Sequence, residues 1–269
     1  MQWEPDRPAV RPATADDYAA FAGLAPQVGS GDPTPAADVW TSSMLPGSRV
    51  ATLGGQVVGY CYFQEYADSG YVRNVVVDQA ARRRGVGRAL MNAVAQHLRA
   101  RGKTTWRLNV KPDNVAAIAL YTDLGLRAAY TAKAFRLPWQ CALGLPSYGA
   151  AVRAVDADRD ADLEDAFALP RGQLTRSRQM GRTIFEARPA DATSPTLGLA
   201  DFNPRFPGAF PFRVVDPRVA RDLLTAMRVL VPNDEVVNLS TENDEALAAL
   251  LLQVGATLRM EILHMVGPL

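Results

Sequence analysis

The chain has 269 residues, of which 48% are apolar and 21% charged, and its formal net charge is +1. Those proportions suit one large globular domain or two small ones, and they exclude a broad basic surface for nucleic acid and an acidic tail for a basic partner. The two cysteines, Cys61 and Cys141, have neither CxxC spacing nor a His-rich setting, which argues against a zinc site and a disulfide scaffold and for a reducing compartment. Met1–Asp6 carry no cationic apolar leader, and no run approaches the ~18 apolar residues of a membrane span, so the expected location is cytoplasmic with no membrane contact.

In chain order, Val10–Thr14 reads as an edge strand that leads into a helix, with Thr14 as N-cap and Asp17 three residues on. The helix continues through Tyr18, Phe21 and Leu24, and a polar loop rich in Gly and Pro follows from Gln27 to Pro35. A short second helix is predicted from about Ala36 to Met44. Arg49–Leu53 and Gln56–Phe63, separated by Gly54-Gly55, form a strong hairpin signal. Tyr71–Val77 supplies the next strand. Residues from about Val86 to Arg101 are helical, because Leu90, Val94 and Leu98 recur every fourth position, and the helix stops near Gly102. A strand at Thr105–Val110 and a helix opened by Lys111-Pro112-Asp113-Asn114 complete the first half. The pattern predicts a mixed α/β sheet, of the α+β kind, with helices on its faces.

The join between the Tyr71–Val77 strand and the following helix carries Arg82-Arg83-Arg84-Gly85-Val86-Gly87-Arg88. A glycine loop at a helix N-terminus offers unpaired N–H groups and the positive end of the helix dipole, which suit a phosphate or pyrophosphate. The loop lacks the Lys-Ser/Thr ending of a Walker A sequence, and its glycines are too few and too close for a dinucleotide fingerprint. Further on, Asn114, Tyr121 and Gly125 follow in order on the next helix.

Arg82-x-x-Gly85-x-Gly87-x-Ala89 after a Val-x-Val strand resembles the acetyl-coenzyme A pyrophosphate loop of the GNAT N-acetyltransferases, and Asn114, Tyr121 and Gly125 add a second, independent resemblance. Together they cover about residues 8 to 138. The resemblance implies that acetyl-CoA is bound by Arg82, Arg83, Arg84, Gly85, Val86, Gly87 and Arg88 at the loop, by main-chain groups of Val75 and Val77, and by Asn114 and Tyr121. It also implies direct transfer to an amine through a ternary complex, with Tyr121 as the acid that protonates the departing thiolate.

The second half repeats the first. Val152–Asp156 echoes Val10–Thr14, Val214–Asp216 echoes Val76–Asp78, and Asn238-x-x-x-x-Asn243 echoes Asn109-x-x-x-x-Asn114. Here Asp216 is followed at once by Pro217 and a helix carrying Val219, Leu223, Met227 and Leu230, with no glycine loop. Leu250 or Leu251 stands where the first half has Tyr121. The expectation is two tandem GNAT-like acyl-CoA N-acyltransferase domains, 1–144 binding acetyl-CoA and 150–269 degenerate, paired within one chain.

Each candidate has a plain structural alternative. The valines are core strand residues, the arginines a solvated turn, Asn114 a helix cap and Tyr121 an anchoring aromatic. A general base is absent from the strand before the loop, where Arg73 and Asn74 stand and family members often place a carboxylate. Glu65, at the end of the neighbouring strand, is the remaining candidate base, against the reading of an exposed strand-end carboxylate. His97 is expected on a solvated helix face and Cys61 as a small buried residue. Three functional readings follow: transfer of acetyl to a primary amine of a small molecule or peptide, a catalytically weak or inactive module that holds coenzyme A or a partner, and acyl transfer to an oxygen or thiol.

Overall fold

The computed structural model describes residues 7–29, 33–191 and 194–269; Met1–Asp6, where no leader is expected, and residues 30–32 of the loop between Gln27 and Pro35 lie outside the described residues. The chain divides into two compact units, the first made of Met1–Ala128 with Met265–Leu269 and the second of Ala129–His264. Two strands, β6 (Arg127–Pro138) and β12 (Thr257–Pro268), run across the division. The first unit is therefore completed by residues from the end of the chain, while the second is one continuous stretch.

In the first unit, β1 (Ala9–Pro12) pairs antiparallel with β2 (Ser48–Leu53), and β2 with β3 (Gln56–Glu65). The hairpin between them turns at Gly54 and Gly55, whose φ values of 56° and 83° fall in the left-handed region that glycine enters without strain. β3 pairs antiparallel with β4 (Ser69–Val77), and β4 runs parallel to β5 (Thr105–Val110). One face is covered by α1 (Tyr18–Leu24) and by α2 (Ala37–Val39), which continues as a π-turn over Trp40–Met44. Phe21, Trp40, Tyr60, Tyr62 and Val76 form that core, with the Phe21 and Trp40 rings stacked at 4.4 Å. Burying each such side chain is worth roughly 2–3 kcal/mol, which fixes this face.

The other face carries α3 (Val86–Ala100), which buries Val86, Leu90, Met91, Val94 and Leu98. α3 approaches so closely that a Cβ on Gly70 would lie 2.3 Å from Leu98 Cδ1. α4 (Val115–Asp123) follows β5. At the chain start, the Asp17 carboxylate accepts the Thr14 N–H at 2.7 Å and two Arg11 bonds at 2.7 Å, so the expected capping residue is also the anchor of an ion pair.

The second unit repeats this order. β7 (Ala151–Ala154), β8 (Thr183–Arg188), β9 (Gly198–Asn203) and β10 (Gly208–Val214) pair antiparallel in succession, and β10 is parallel to β11 (Val236–Glu242). β11 then pairs antiparallel with β6 from Val236↔Pro138 to Glu242↔Ala132. α5 (Trp139–Ala142), α8 (Val219–Arg228) and α9 (Glu245–Gln253) pack on one core with Phe185, Phe202 and Phe212. α6 (Asp160–Ala166) and α7 (Gln173–Gln179) cover a smaller cluster of Leu163, Leu174, Ile184 and Leu199. Among the described residues of both units, no helix is long and apolar enough to cross a membrane.

Candidate active site

β4 ends at Val77, and Asp78 then caps a short turn by accepting the Ala80 N–H at 2.8 Å. Arg82–Gly85 follow, with Arg83 at φ 64° and Gly85 at φ 77°. Alternating left-handed residues curl the backbone so that successive N–H groups point inward, a concavity suited to an anion. α3 begins at Val86 with no side-chain cap on its first turn. The N–H groups of that turn have no acceptor within the helix, and the dipole of the helix adds partial positive charge.

The side chains around the loop are directed differently. Arg82 Nε donates to the Val77 carbonyl at 3.2 Å and its Nη2 to Gln27 Oε1 at 3.4 Å, while Arg88 pairs with Asp123 at 2.8 Å. Arg83 and Arg84 are exposed. Gly87 faces protein rather than open space: a Cβ there would lie 3.3 Å from Leu120 Cδ2 and 3.8 Å from Val77 Cγ2, so glycine at 87 lets α3 pack against α4 and β4. At Gly85 an added Cβ meets nothing within 4 Å. The anion-directed groups of the loop are thus its backbone amides.

The strand leading into the loop loses a neighbour. β4 pairs with β5 only from Ser69↔Thr105 to Val72↔Leu108, whereas its pairing with β3 continues to Gly59↔Val77. The register shift opposite Tyr62 and Phe63 leaves Arg73 as the extra residue of a bulge. Asp78 N–H donates to the Val58 carbonyl at 2.8 Å. By strand alternation, the main-chain groups of Val75 and Val77 then point away from β3, to the edge that β5 has left. The freed edge of β4 runs directly into the uncapped N-terminus of α3.

Tyr121 is buried on α4 and lies in the field of Cys61, itself fully buried on β3. Burial, then the nearby Cys61, pushes the Tyr121 phenol up to about 12, so it is a neutral O–H donor at physiological pH. Burial likewise pushes the Cys61 thiol up to about 12, which makes it a packing group and not a thiolate nucleophile. Asn114 caps α4 by accepting the Ala117 N–H at 3.2 Å.

Glu65 is not brought to this cluster. It sits at the end of β3, four residues and therefore ~13 Å along the strand from Cys61. Its Oε1 lies 2.9 Å from His97 Nε2, and its Oε2 accepts from Arg101 at 3.5 Å. Burial raises the carboxyl pKa, but the His97 bond and the charges of His97 and Arg101 outweigh it, so the net shift is downward. His97 corrects the expectation of a solvated face: it is 28% exposed, its Nδ1 lies 2.9 Å from Arg49 Nη2, and its ring lies 5.2 Å from Phe63. Side chains from β2, β3 and the end of α3 build this network, and helical spacing alone does not reveal it.

The second unit shows the same elements without the loop. Residues 215–218 join β10 to α8, where residues 78–85 join β4 to α3. Asp216 Oδ1 accepts the Arg218 N–H at 2.9 Å, and the two side chains pair at 2.7 Å. The Asp216 and Pro217 carbonyls in turn accept the Val219 and Ala220 N–H groups at 3.0 and 3.2 Å, so the first amides of α8 are already bonded by the chain itself. The bulge is kept, between Ala209 and Phe212, and β10 pairs with β11 only at Gly208 and Ala209, but Arg213 on β10 forms an ion pair with Glu242 on β11. α9 is capped by Asp244, whose Oδ1 accepts the Leu247 N–H at 2.9 Å, as Asn114 caps α4. Asp244 and not Asn243 is therefore the counterpart of Asn114, which corrects the sequence match by one residue and places Leu251 opposite Tyr121. Asn243 instead accepts the Thr131 N–H at 3.2 Å.

Residues 18–126 match the family model described as Acetyltransferase (GNAT) family. Over 78 residues the chain is 37% identical to the [ribosomal protein bS18]-alanine N-acetyltransferase of Escherichia coli K12, which covers 29% of this chain and 53% of that relative. The chain thus spans about half the length of the curated relatives it matches first. The structure of a GCN5-related N-acetyltransferase from Sphaerobacter thermophilus superposes with a TM-score of 0.65 at 15% identity, covering 98% of this chain and 96% of that one. A tandem GNAT protein from the clavulanic acid biosynthesis pathway gives 0.59 at 19% identity, covering 97% and 98%. At these identities the likenesses establish the fold: a mixed α/β architecture with two GNAT-like units in tandem.

Proposed function

We propose that this chain, a member of the GNAT acetyltransferase family through residues 18–126, transfers an acetyl group from acetyl-CoA to a primary amine in its first unit alone. The observation that carries the reading is the continuous path from the unpaired edge of β4 at Val75 and Val77 to the uncapped first turn of α3. Acetyl-CoA supplies a thioester whose carbonyl carbon accepts the amine nitrogen while the C–S bond breaks and the thiolate leaves. The amides of Arg84–Arg88 hold the pyrophosphate, with Arg82, Arg83 and Arg84 adding positive charge to the loop. Main-chain N–H groups of the Val75–Val77 edge stabilise charge on the thioester oxygen. Tyr121 gives its proton to the leaving sulfur. The first domain holds the cofactor, and the second has lost both loop and phenol.

A free primary amine with pKa ~10.4 is mostly protonated at pH 7, so a proton must leave before attack. Glu65 is committed to His97 and Arg101, and we assign that step to water in the cleft rather than to Glu65. This same commitment supports a second reading, in which the first unit holds coenzyme A without turnover. Release of free thiol from acetyl-CoA in the presence of a panel of primary amines separates the two: amine-dependent release supports transfer, and binding without release supports the second reading.

A further inference from the structure

Resting on the acetyl-transfer reading above, we propose that the acceptor is a small amine that also carries an anionic group, carboxylate or phosphate, held by Arg73 and Arg107 on the sheet face opposite α3. Four placements carry this. Tyr71 and Arg107 are register partners on parallel β4 and β5, so their side chains share a face. Tyr71 also faces Gln64 across the antiparallel pair, and Gln64 Nε2 donates to Tyr62 Oη at 3.0 Å, within the face that holds Trp40 and Phe21. The neighbouring Gly70 turns to the other side, against Leu98. Arg73, the bulge residue, lays its guanidinium over the Tyr71 ring at 4.8 Å.

Arg73 and Arg107 therefore flank one tyrosine on the same sheet face, where β4 and β5 begin to part. Like charges gathered on one face oppose each other, and an anion bound between them relieves that repulsion. Among the described residues neither Arg73 nor Arg107 has a carboxylate partner, and the Arg107 Nε is buried without an acceptor. Elsewhere in the unit Arg11 pairs with Asp17, Arg88 with Asp123 and Arg101 with Glu65, while Arg49, Arg82 and Arg127 donate to carbonyl, amide or imidazole groups. A planar guanidinium fork is the side chain best matched to a bidentate carboxylate or phosphate.

Position sets the size of the acceptor. Arg73 lies two residues, ~7 Å, from Val75, whose main chain faces the reacting carbonyl in the proposed reaction. An amine attacking there can reach the two guanidiniums with an anion only a few bonds away, as in an amino acid or an aminoalkyl phosphate. Arg73 and Arg107 act as specificity residues: they hold the acceptor and take no part in proton transfer.

The test compares glycine with glycinamide and O-phosphoethanolamine with ethanolamine as acceptors, by kcat/KM for thiol release from acetyl-CoA. At least one anionic member should exceed its neutral partner by about tenfold or more, the effect of one charge-assisted contact. Whichever pair responds tells carboxylate from phosphate. In Arg73→Gln and in Arg107→Gln, KM for the preferred anionic amine should rise about tenfold, with acetyl-CoA affinity by calorimetry as the check on folding. Equal kcat/KM within both pairs, a preference that survives both substitutions, or no release with any of the four while acetyl-CoA binds would overturn the anionic acceptor. Failure of acetyl-CoA to bind the wild-type chain would overturn the acetyl-transfer reading beneath it.

Discussion

Glu65 Oε1 and His97 Nε2 lie 2.9 Å apart and tie the end of β3 to the last turns of α3. The carboxylate pKa is lowered in the folded state, so the pair stabilises above the ordinary Glu range and its contribution is lost as pH falls through the lowered folded value. Glu65→Gln should cost about 0.5–1 kcal/mol at neutral pH, seen as a lower urea midpoint, with the difference from wild type vanishing in acid. Turnover should stay within about twofold of wild type, since loss of a general base costs roughly 100-fold or more. A fall of that size in Glu65→Gln would restore Glu65 as the base.

Tyr121 is the acid in this account. Tyr121→Phe should lower kcat by about 10- to 100-fold while leaving acetyl-CoA affinity close to wild type. Because burial and then Cys61 push the phenol up to about 12, its ionisation lies far above neutrality. The rate at saturating acetyl-CoA should therefore show no Tyr121-dependent loss between pH 7 and 10, which a comparison of the wild-type and Tyr121→Phe pH profiles would reveal.

Gly85 sits at φ 77° with open space where a side chain would be. Gly85→Ala should cost about 1 kcal/mol of stability from the left-handed backbone alone. Alanine also disfavours the left-handed φ that sets the curl of the loop amides, so acetyl-CoA affinity should fall by about tenfold, more than the stability loss would explain at a temperature where the variant is folded. Chemical denaturation and calorimetry on the same variant separate the two effects.

Local signals in the sequence led to most of the strands and helices because their causes are local. Gly54-Gly55 makes its hairpin through two left-handed residues, and Leu90, Val94 and Leu98 make α3 amphipathic wherever it packs. The loss of the loop in the second half was visible too, in Asp216-Pro217 standing where the first half has Asp78 and a glycine turn. Hidden features depend on partners distant in sequence. The bulge at Arg73 and the end of β4–β5 pairing at Val72 arise from register between strands, and neither residue type announces it. Membership of Met265–Leu269 in the first unit has no local signature either. The match of Asn243 to Asn114 failed by one residue because Asp and Asn cap helices equally well, so the second copy could shift its cap to Asp244 without a change in fold.

The central claim is that one unit keeps an open helix start, while in the other the Asp216 and Pro217 carbonyls already bond the first helix amides. Calorimetric titration of the whole chain with acetyl-CoA measures it most directly. The account predicts one site per chain, lost or weakened in Gly85→Ala and unaffected by Asp216→Asn. Two sites per chain, or a single site that survives disruption of the Arg82–Gly87 loop, would contradict it.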